Sequence, residues 1–459
     1  MMTLAQLRGE IGGAVLEPGD DGYDEARRVW NGMIDRRPTA VVRAGGIGDI
    51  APTIRLAREL GLPLAIRGGG HNVAGNGTVE GGIVLDLGGL NAVEVDPEAL
   101  EVRVAAGATL GDLDRATEPH GLAVAAGVVS GTGVAGLTLG GGVGWLTRAY
   151  GISVDNLLGV DLVTAAGKYV HASATENAEL FWGVRGGGGN FGVVTSFTFR
   201  AYPLGPDILA GAFVYRASSM TEALRGWGAW SADAPDAMTT IATVLVPPAD
   251  FEMGDDPIMF LGWLWASDDR AEGGRAVDRL RRAAPPDDEI IEPTSWTAWQ
   301  SQFDAVLPKG VRAYWKNTSF DRLDDATIEV ITHRATEQTW RGTAFDIHHM
   351  EGAFGRVPED ATPFPNRSAR YWLNIYGFWP DAADDPARIA FVRGFAADME
   401  PHASGGQYVN FLGQEGGHGD PRAAALAVYG PAKLARLTAL KRRYDPDNTF
   451  RLNHNIPPD

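Results

Sequence analysis

Arg67-Gly68-Gly69-Gly70-His71 follows directly on the apolar segment Leu64-Ala65-Ile66, and the fold turns on how this stretch is read. A run of glycines lets the backbone adopt positive φ and approach a ligand with no Cβ in the way. Successive amide N–H groups in that geometry form a concave anion site suited to a pyrophosphate. The histidine that ends the run places a nucleophilic ring nitrogen where such a ligand would lie. Upstream, Ala40-Val41-Val42 is strand-like, and Asp49 to Leu60 repeats Ile50, Ile54, Ala57 and Leu60 at helical spacing. Gly61 stops that helix, so the glycine run leaves the second strand of a β-α-β pattern.

Further along, Ile83 to Leu87, Val102 to Val104, Leu158 to Thr164 and Val193 to Phe199 read as strands, the last with clean alternation. The texture changes at Pro203-Leu204-Gly205-Pro206. From there to about residue 410, strands (Ile241 to Val246, Ile258 to Trp265, Tyr371 to Phe378) alternate with helical stretches such as Asp268 to Ala283. A last helix, Pro431 to Arg443, carries Leu434, Leu437 and Leu440 on one face and breaks at Asp445-Pro446-Asp447-Asn448.

Composition narrows the function classes. The 459 residues are 44% hydrophobic and 21% charged, as in an ordered globular protein, with length for two or three domain-sized units. A net charge of −18 argues against nucleic acid and anionic membranes as partners, since phosphate backbones need a basic footprint. The absence of cysteine excludes disulfides, thiolate catalysis and cysteine-held metals, and suits a reducing, cytoplasmic setting. No metal site is expected. Gly121 to Leu146 is free of charge but too glycine-rich for a spanning helix, and reads as buried loop around a ligand.

Within that run, Gly131-Thr132-Gly133-Val134-Ala135-Gly136 fits G-x-G-x-x-G, with Asp155 at the spacing of a ribose contact. A nicotinamide-dinucleotide reading needs this run to open a helix after the first strand of a βαβ unit. Here it lies deep in the domain, and the further glycines Gly140, Gly141 and Gly142 would weaken the helix.

The loop Arg67 to Asn72 combines with other segments, in order, over nearly the whole chain. These are Gly136 to Trp145, Arg148, Tyr150-Gly151, Asp155-Asn156, Thr164 to Gly167, Leu180 to Trp182, Arg185 to Thr195 and Tyr444 to Phe450. Together they resemble the berberine-bridge-enzyme-like oxidases, within the vanillyl-alcohol-oxidase (PCMH-type) flavoproteins, and among these the bacterial members with a single covalent link. The resemblance implies an α+β fold. A two-part PCMH-type FAD-binding domain would span 1–205, and a substrate-binding domain with an antiparallel sheet covered by helices would span 206–410. A C-terminal segment, 411–459, would return to the FAD domain.

It further implies FAD bonded through His71 to the flavin 8α-methyl, with Arg67, Gly68, Gly69, Gly70 and Asn72 around that anchor. Gly131, Thr132, Gly136, Leu137, Gly140, Gly141, Gly142 and Trp145 would run along the flavin, with Asp155 and Asn156 beyond them. Gly192, Val193, Val194, Asn410, Asn453 and Asn455 would complete the cofactor site.

Two departures stand out. Where many members carry a second anchoring cysteine this chain has Val129, and where the alkaloid-cyclising members have a glutamate base it has Asn374. Candidates for proton transfer are Tyr408, in a Tyr-x-Asn-aromatic motif with Asn410, and His348 or His349. On a strand only one of the two histidines could face a cavity. Tyr314 and Trp372, with Asn374, are the expected substrate-lining residues. The activity implied is oxidation of a C–H beside an amine or hydroxyl of an alkaloid-like amine, secondary metabolite or sugar, with electrons passed to O2 to give H2O2. An antibiotic-binding resistance flavoprotein and an NAD-dependent dehydrogenase are the alternatives.

Overall fold

The structure is a computed structural model that describes residues 2–458 apart from 248, 250–252, 305–306, 342 and 414–419. Strand Ala40–Arg43, helix Ile50–Leu60 and strand Leu64–Arg67 form in sequence, and the helix ends on Gly61 at φ +65°. The two strands do not pair with each other. Ile83–Asp86 lies between them and runs parallel to both, with Ala14–Leu16 antiparallel on the outer edge. Val41, Val42, Ala65, Val84 and Leu85 have no exposed surface, as expected of strands covered on both faces.

A second sheet is antiparallel throughout, in the order Val93–Asp96, Glu101–Ala105, Val193–Arg200, Leu157–Val163, Tyr169–Ser173. The charge-free run is not loop alone: it contains strand Leu122–Ala123 and helix Val134–Gly140. That helix opens after Gly133 and stops at Gly141 (φ +143°) and Gly142 (φ +86°), so it spans only seven residues. Gly133 itself forms an isolated antiparallel bridge with Thr109, and it does not follow the first strand of a βαβ unit. Among the described residues no helix is long and apolar enough to cross a membrane.

The third sheet runs Asp288–Ile290, Asp207–Arg216, Ile258–Trp265, Met238–Leu245, Thr343–His349, Tyr371–Trp379, Arg312–Phe320, with every pairing antiparallel. Helices Ala217–Ser231, Arg270–Ala283, Asp325–Glu337 and Asp385–Met399 cover one face. There Leu224, Trp227, Leu280, Ile328 and Phe395 share a core with Tyr215, Val244, Ile347, Leu373 and Ile375. Side chains alternate along a strand, so Asp346, His348, Asn374 and Tyr376 project from the opposite face.

The last helix, Pro421–Tyr444, is two pieces joined at non-helical Gly430, and the stretch from Pro431 is the second piece. Its end is anchored by buried Lys441, whose Nζ donates to Asp445 Oδ2 (2.7 Å), Phe450 O (2.9 Å) and Asn190 O (3.0 Å). Asn190 in turn donates to His454 O at 3.2 Å and accepts from Ile456 N at 3.0 Å. This lock lays residues 450–456 against the glycine loop that follows Arg185. Breaking a buried, fully bonded ion pair of this kind costs about 3–5 kcal/mol.

Candidate active site

Between the glycine loops and the open face of the large sheet lies a cavity of about 570 Å³. Its first wall comes from Arg67 to Asn72, Thr132, Gly133, Gly136, Leu137 and Gly140, together with Gly192, Val193, Val194, Asn453 and His454. The opposite wall carries Ile241, Thr243, Phe260, Asp346, His348, Asn374 and Tyr376. Tyr408, Asn410 and Trp145 also line it, as does Val129, where a second anchor is missing.

The first wall is built for close approach. A Cβ on Gly69 would lie 2.5 Å from Gly133 N, and one on Gly133 would lie 2.3 Å from Gly69 N, so the two loops touch backbone to backbone. Arg67 bonds Asp86 Oδ2 through Nη2 at 2.8 Å, whereas its buried Nη1 has no partner in the protein. Asn453 Oδ1 and His454 Nε2 are buried and unpartnered as well. Unpaired buried polar groups are costly, and a bound partner removes that cost. Burial pushes the His71 imidazole down to about 4, leaving it neutral, with a free ring lone pair, at neutral pH. A donor-rich glycine cradle, an unpaired guanidinium and a neutral imidazole fit the pyrophosphate and ring system of FAD.

Several residues expected at the cofactor do other work. Asp155 is held by the Arg367 guanidinium through two 2.8 Å bonds and also accepts from Ile152 N, so it is not available to a ribose. Asn156 braces a turn, donating to Tyr150 O and Ile152 O at 3.0 Å and accepting from the Tyr202 hydroxyl. Gly141 and Gly142 form the positive-φ turn behind the wall, where a Cβ on Gly141 would strike Phe364 at 2.5 Å. Gly131 and Asn455 also lie off the cavity wall.

The sheet wall carries a polar row. Thr243, Asp346, Asn374 and Asn317 are direct cross-strand partners on four neighbouring strands. Asp346 Oδ1 lies 3.0 Å from His348 Nε2, and its Oδ2 accepts from the Tyr376 hydroxyl at 3.0 Å. Asn374 Oδ1 and Asn317 Oδ1 are buried without partners. Thr243, Asp346 and Asn374 line the cavity and present acceptor oxygens to it, whereas Asn317 lies off its wall; among the described residues no lysine lines the cavity.

His349 points the other way. It is buried beside Trp227 and Trp230 with Nε2 3.0 Å from both Arg148 Nη1 and Glu351 Oε2, and cannot reach substrate. Tyr314 likewise faces the helices and accepts from Arg393 Nε at 3.1 Å; its neighbour Trp315 lines the cavity instead. Trp372 has the cavity-facing parity but lies beyond the cavity edge, packed on Phe364 and Tyr408. Tyr408 lines the cavity, but burial pushes its phenol up to about 12, the wrong direction for a base at neutral pH. Sequence reading missed Asp346, although it stands two positions before His348 on the same strand and so on the same face. Trp30, stacked on His71, gave no signal in the sequence. Among the described residues no cluster of His, Asp and Glu could hold a metal ion.

Two families match the chain: FAD binding domain over residues 38–173, and Berberine and berberine like over residues 407–457. The (R)-6-hydroxynicotine oxidase of Paenarthrobacter nicotinovorans is 32% identical, covering 98% of this chain and 97% of its own length. The crystal structure of 6-hydroxy-D-nicotine oxidase from Arthrobacter nicotinovorans has a TM-score of 0.86 at 28% identity, over 100% of both chains. Glucooligosaccharide oxidase from Acremonium strictum, described with a 6-S-cysteinyl, 8α-N1-histidyl FAD, shares the fold at TM-score 0.85 and 22% identity over 99% of both chains. The chain belongs to the berberine-bridge-enzyme-like FAD-linked oxidases, within the PCMH-type flavoproteins, and is an FAD-dependent oxidoreductase. That assignment leaves no place for a nicotinamide dinucleotide at Gly131 to Gly136.

Proposed function

We propose that this protein is a flavin oxidase, with FAD bonded through His71 alone, that oxidises the C–H beside the nitrogen of a small, largely apolar amine and passes the electrons to O2, releasing H2O2. The observation that carries the amine reading is the acceptor pair Asp346 and Asn374, which faces a cavity otherwise lined by Ile241, Leu245, Phe260 and Trp299. A carboxylate in such surroundings suits an ammonium. A net charge of −18 also draws cations toward the protein. The relative named for hydroxynicotine supports the same choice.

In this reading the glycine amides and Arg67 hold the pyrophosphate, while Asn410, Asn453 and His454 meet the ring system. FAD, when bound, supplies the hydride acceptor and the route to oxygen. Asp346 pairs with the incoming ammonium, and Asn374 Oδ1 accepts a second N–H, which orients the scissile C–H. The ammonium proton passes to His348, whose imidazolium is then stabilised by Asp346 at 3.0 Å. The neutral amine's lone pair can then assist loss of hydride with no further base, which suits an amide at position 374. Apolar walls keep water from the reacting centre. A secondary alcohol is the second reading, favoured by the same Asp346–His348 pair acting on a hydroxyl proton. A cysteine-free chain suits the reducing cytoplasm, where we propose that it works.

Anaerobic bleaching of the flavin by a panel of amines, alcohols and oligosaccharides tests the proposal. Bleaching by amines, with many equivalents of peroxide per flavin in air, is the expected result. Reduction by sugars alone would overturn the amine assignment, and stoichiometric binding without peroxide would indicate sequestration.

A further inference from the structure

We propose that Trp30 is a positioning residue that sets the plane of the His71 imidazole for its bond to the flavin; this rests on the His71 linkage proposed above. The indole and imidazole are stacked, with ring centroids 4.5 Å apart and planes 21° from parallel. A histidine side chain turns broadly about its second torsion, so a loop imidazole has no single orientation of its own. Attachment needs the in-plane lone pair of a ring nitrogen aimed at one carbon. A flat partner on the ring face removes the orientations in which it is not.

Trp30 is itself held from both sides of the cavity. Its amide donates to Gly70 O at 3.0 Å, tying it to the loop that carries His71, and its indole Nε1 donates to Leu307 O at 3.2 Å. Phe378 meets the indole edge-on at 5.7 Å and Trp315 lies at 6.2 Å, both from the large sheet. The next residue repeats the pattern: Asn31 Nδ2 donates to Val73 O at 2.7 Å and to Ala313 O at 2.9 Å, and Asn31 Oδ1 accepts from Ala313 N at 3.2 Å. Gly32 then packs so closely on Gly310 that a Cβ would lie 2.0 Å from its carbonyl oxygen. These contacts tie the segment stacked on His71 both to the His71 loop and to the large sheet.

Attachment forms one N–C bond between the imidazole and the 8α carbon, with loss of the imidazole N–H proton and one 8α proton. The two electrons left on the ring system are removed by dioxygen as hydrogen peroxide, so the step balances with O2 as oxidant.

The test compares wild type with Trp30→Ala, Trp30→Leu and Trp30→Phe. The readouts are the acid-stable flavin fraction after expression, its growth with time when FAD is added in air, and the total of bound flavin. Expected are full retention in wild type, near-normal attachment in Trp30→Phe, and attachment slowed roughly 10- to 100-fold in Trp30→Leu and Trp30→Ala despite bound flavin. Attachment at the wild-type rate in a folded, flavin-saturated Trp30→Ala would overturn the proposal. If that variant does not fold, equal rates in Trp30→Leu and Trp30→Phe would overturn it. Release of all flavin from acid-treated wild type is a different outcome, which removes the His71 linkage itself.

Discussion

Trp296 Nε1 donates to Asp114 Oδ1 across 2.7 Å, and through this bond a helix of the flavin unit, Leu110–Thr117, grips the opening of helix Trp296–Ser301. Burial raises the Asp114 carboxyl to about 7, and its Oδ2 has no partner. The folded-state value lies above the unfolded one, so the folded protein keeps a proton that the unfolded chain sheds from about pH 4 upward. Stability from this group therefore declines as pH rises to about 7 and is level beyond. Asp114→Asn keeps the acceptor and removes the titration. Thermal melts should show it about 2 °C or more above wild type at pH 8, with no difference near pH 4.

Gly133→Ala forces a Cβ to within 2.3 Å of Gly69 N, against backbone that cannot move aside cheaply. The loops must part, and the cradle that lies between them and the flavin opens. Flavin bound per folded chain should fall by at least ~10-fold, equivalent to ~1.4 kcal/mol, when measured by absorbance against circular dichroism.

Tyr408 accepts from Gly142 N and from Asn410 Nδ2, each at 2.8 Å, in surroundings that keep its proton on. Its ionisation near pH 12 puts it outside the working range. Tyr408→Phe should leave the shape of the pH–rate profile between pH 6 and 10 unchanged. It should also lower the melting temperature, because the buried Gly142 amide loses its acceptor, at a cost of about 1–3 kcal/mol.

Asp346→Asn tests the ammonium contact. The amide keeps the size of the side chain and its bond from Tyr376 but loses the charge. With amine substrates kcat/KM should drop roughly 100-fold, as when one member of a buried charge pair is removed. Binding of an uncharged analogue, followed by flavin spectral shift, should change little. Equal losses for both ligands would argue that Asp346 only shapes the wall.

His71 supplies a fifth measurement. Burial depresses its folded-state value to about 4, so the proton is bound preferentially by the unfolded chain. Any stability this group lends is complete above about pH 6.5 and is lost as pH falls through 4. Appearance of acid-stable flavin should thus be level in its imidazole dependence from pH 8 to about pH 5 and fall below that, whereas His71→Ala should release its flavin at every pH.

Much of the architecture is legible in local pattern. Glycine runs mark where backbone approaches ligand, and alternation along residues such as Val193 to Phe199 marks strands, because both depend on neighbours in sequence. Parity shows that one of His348 and His349 faces the cavity. Which one does depends on the face the helices cover, and that is fixed by the distant Leu224, Leu280, Ile328 and Phe395. The same one-residue shift separates Tyr314 from Trp315. Asp155 sits at the spacing of a ribose ligand, yet its partner, Arg367, lies 212 residues away. The partners of Trp30 come from residues 70, 307, 315 and 378, so no local pattern announces it.

The lock of Lys441, Asp445 and Asn190 carries Asn453 and His454 to the wall that also holds His71. A break at that lock, remote from every atom that could touch a ligand, would take one side from the chamber and leave the sheet opposite it standing.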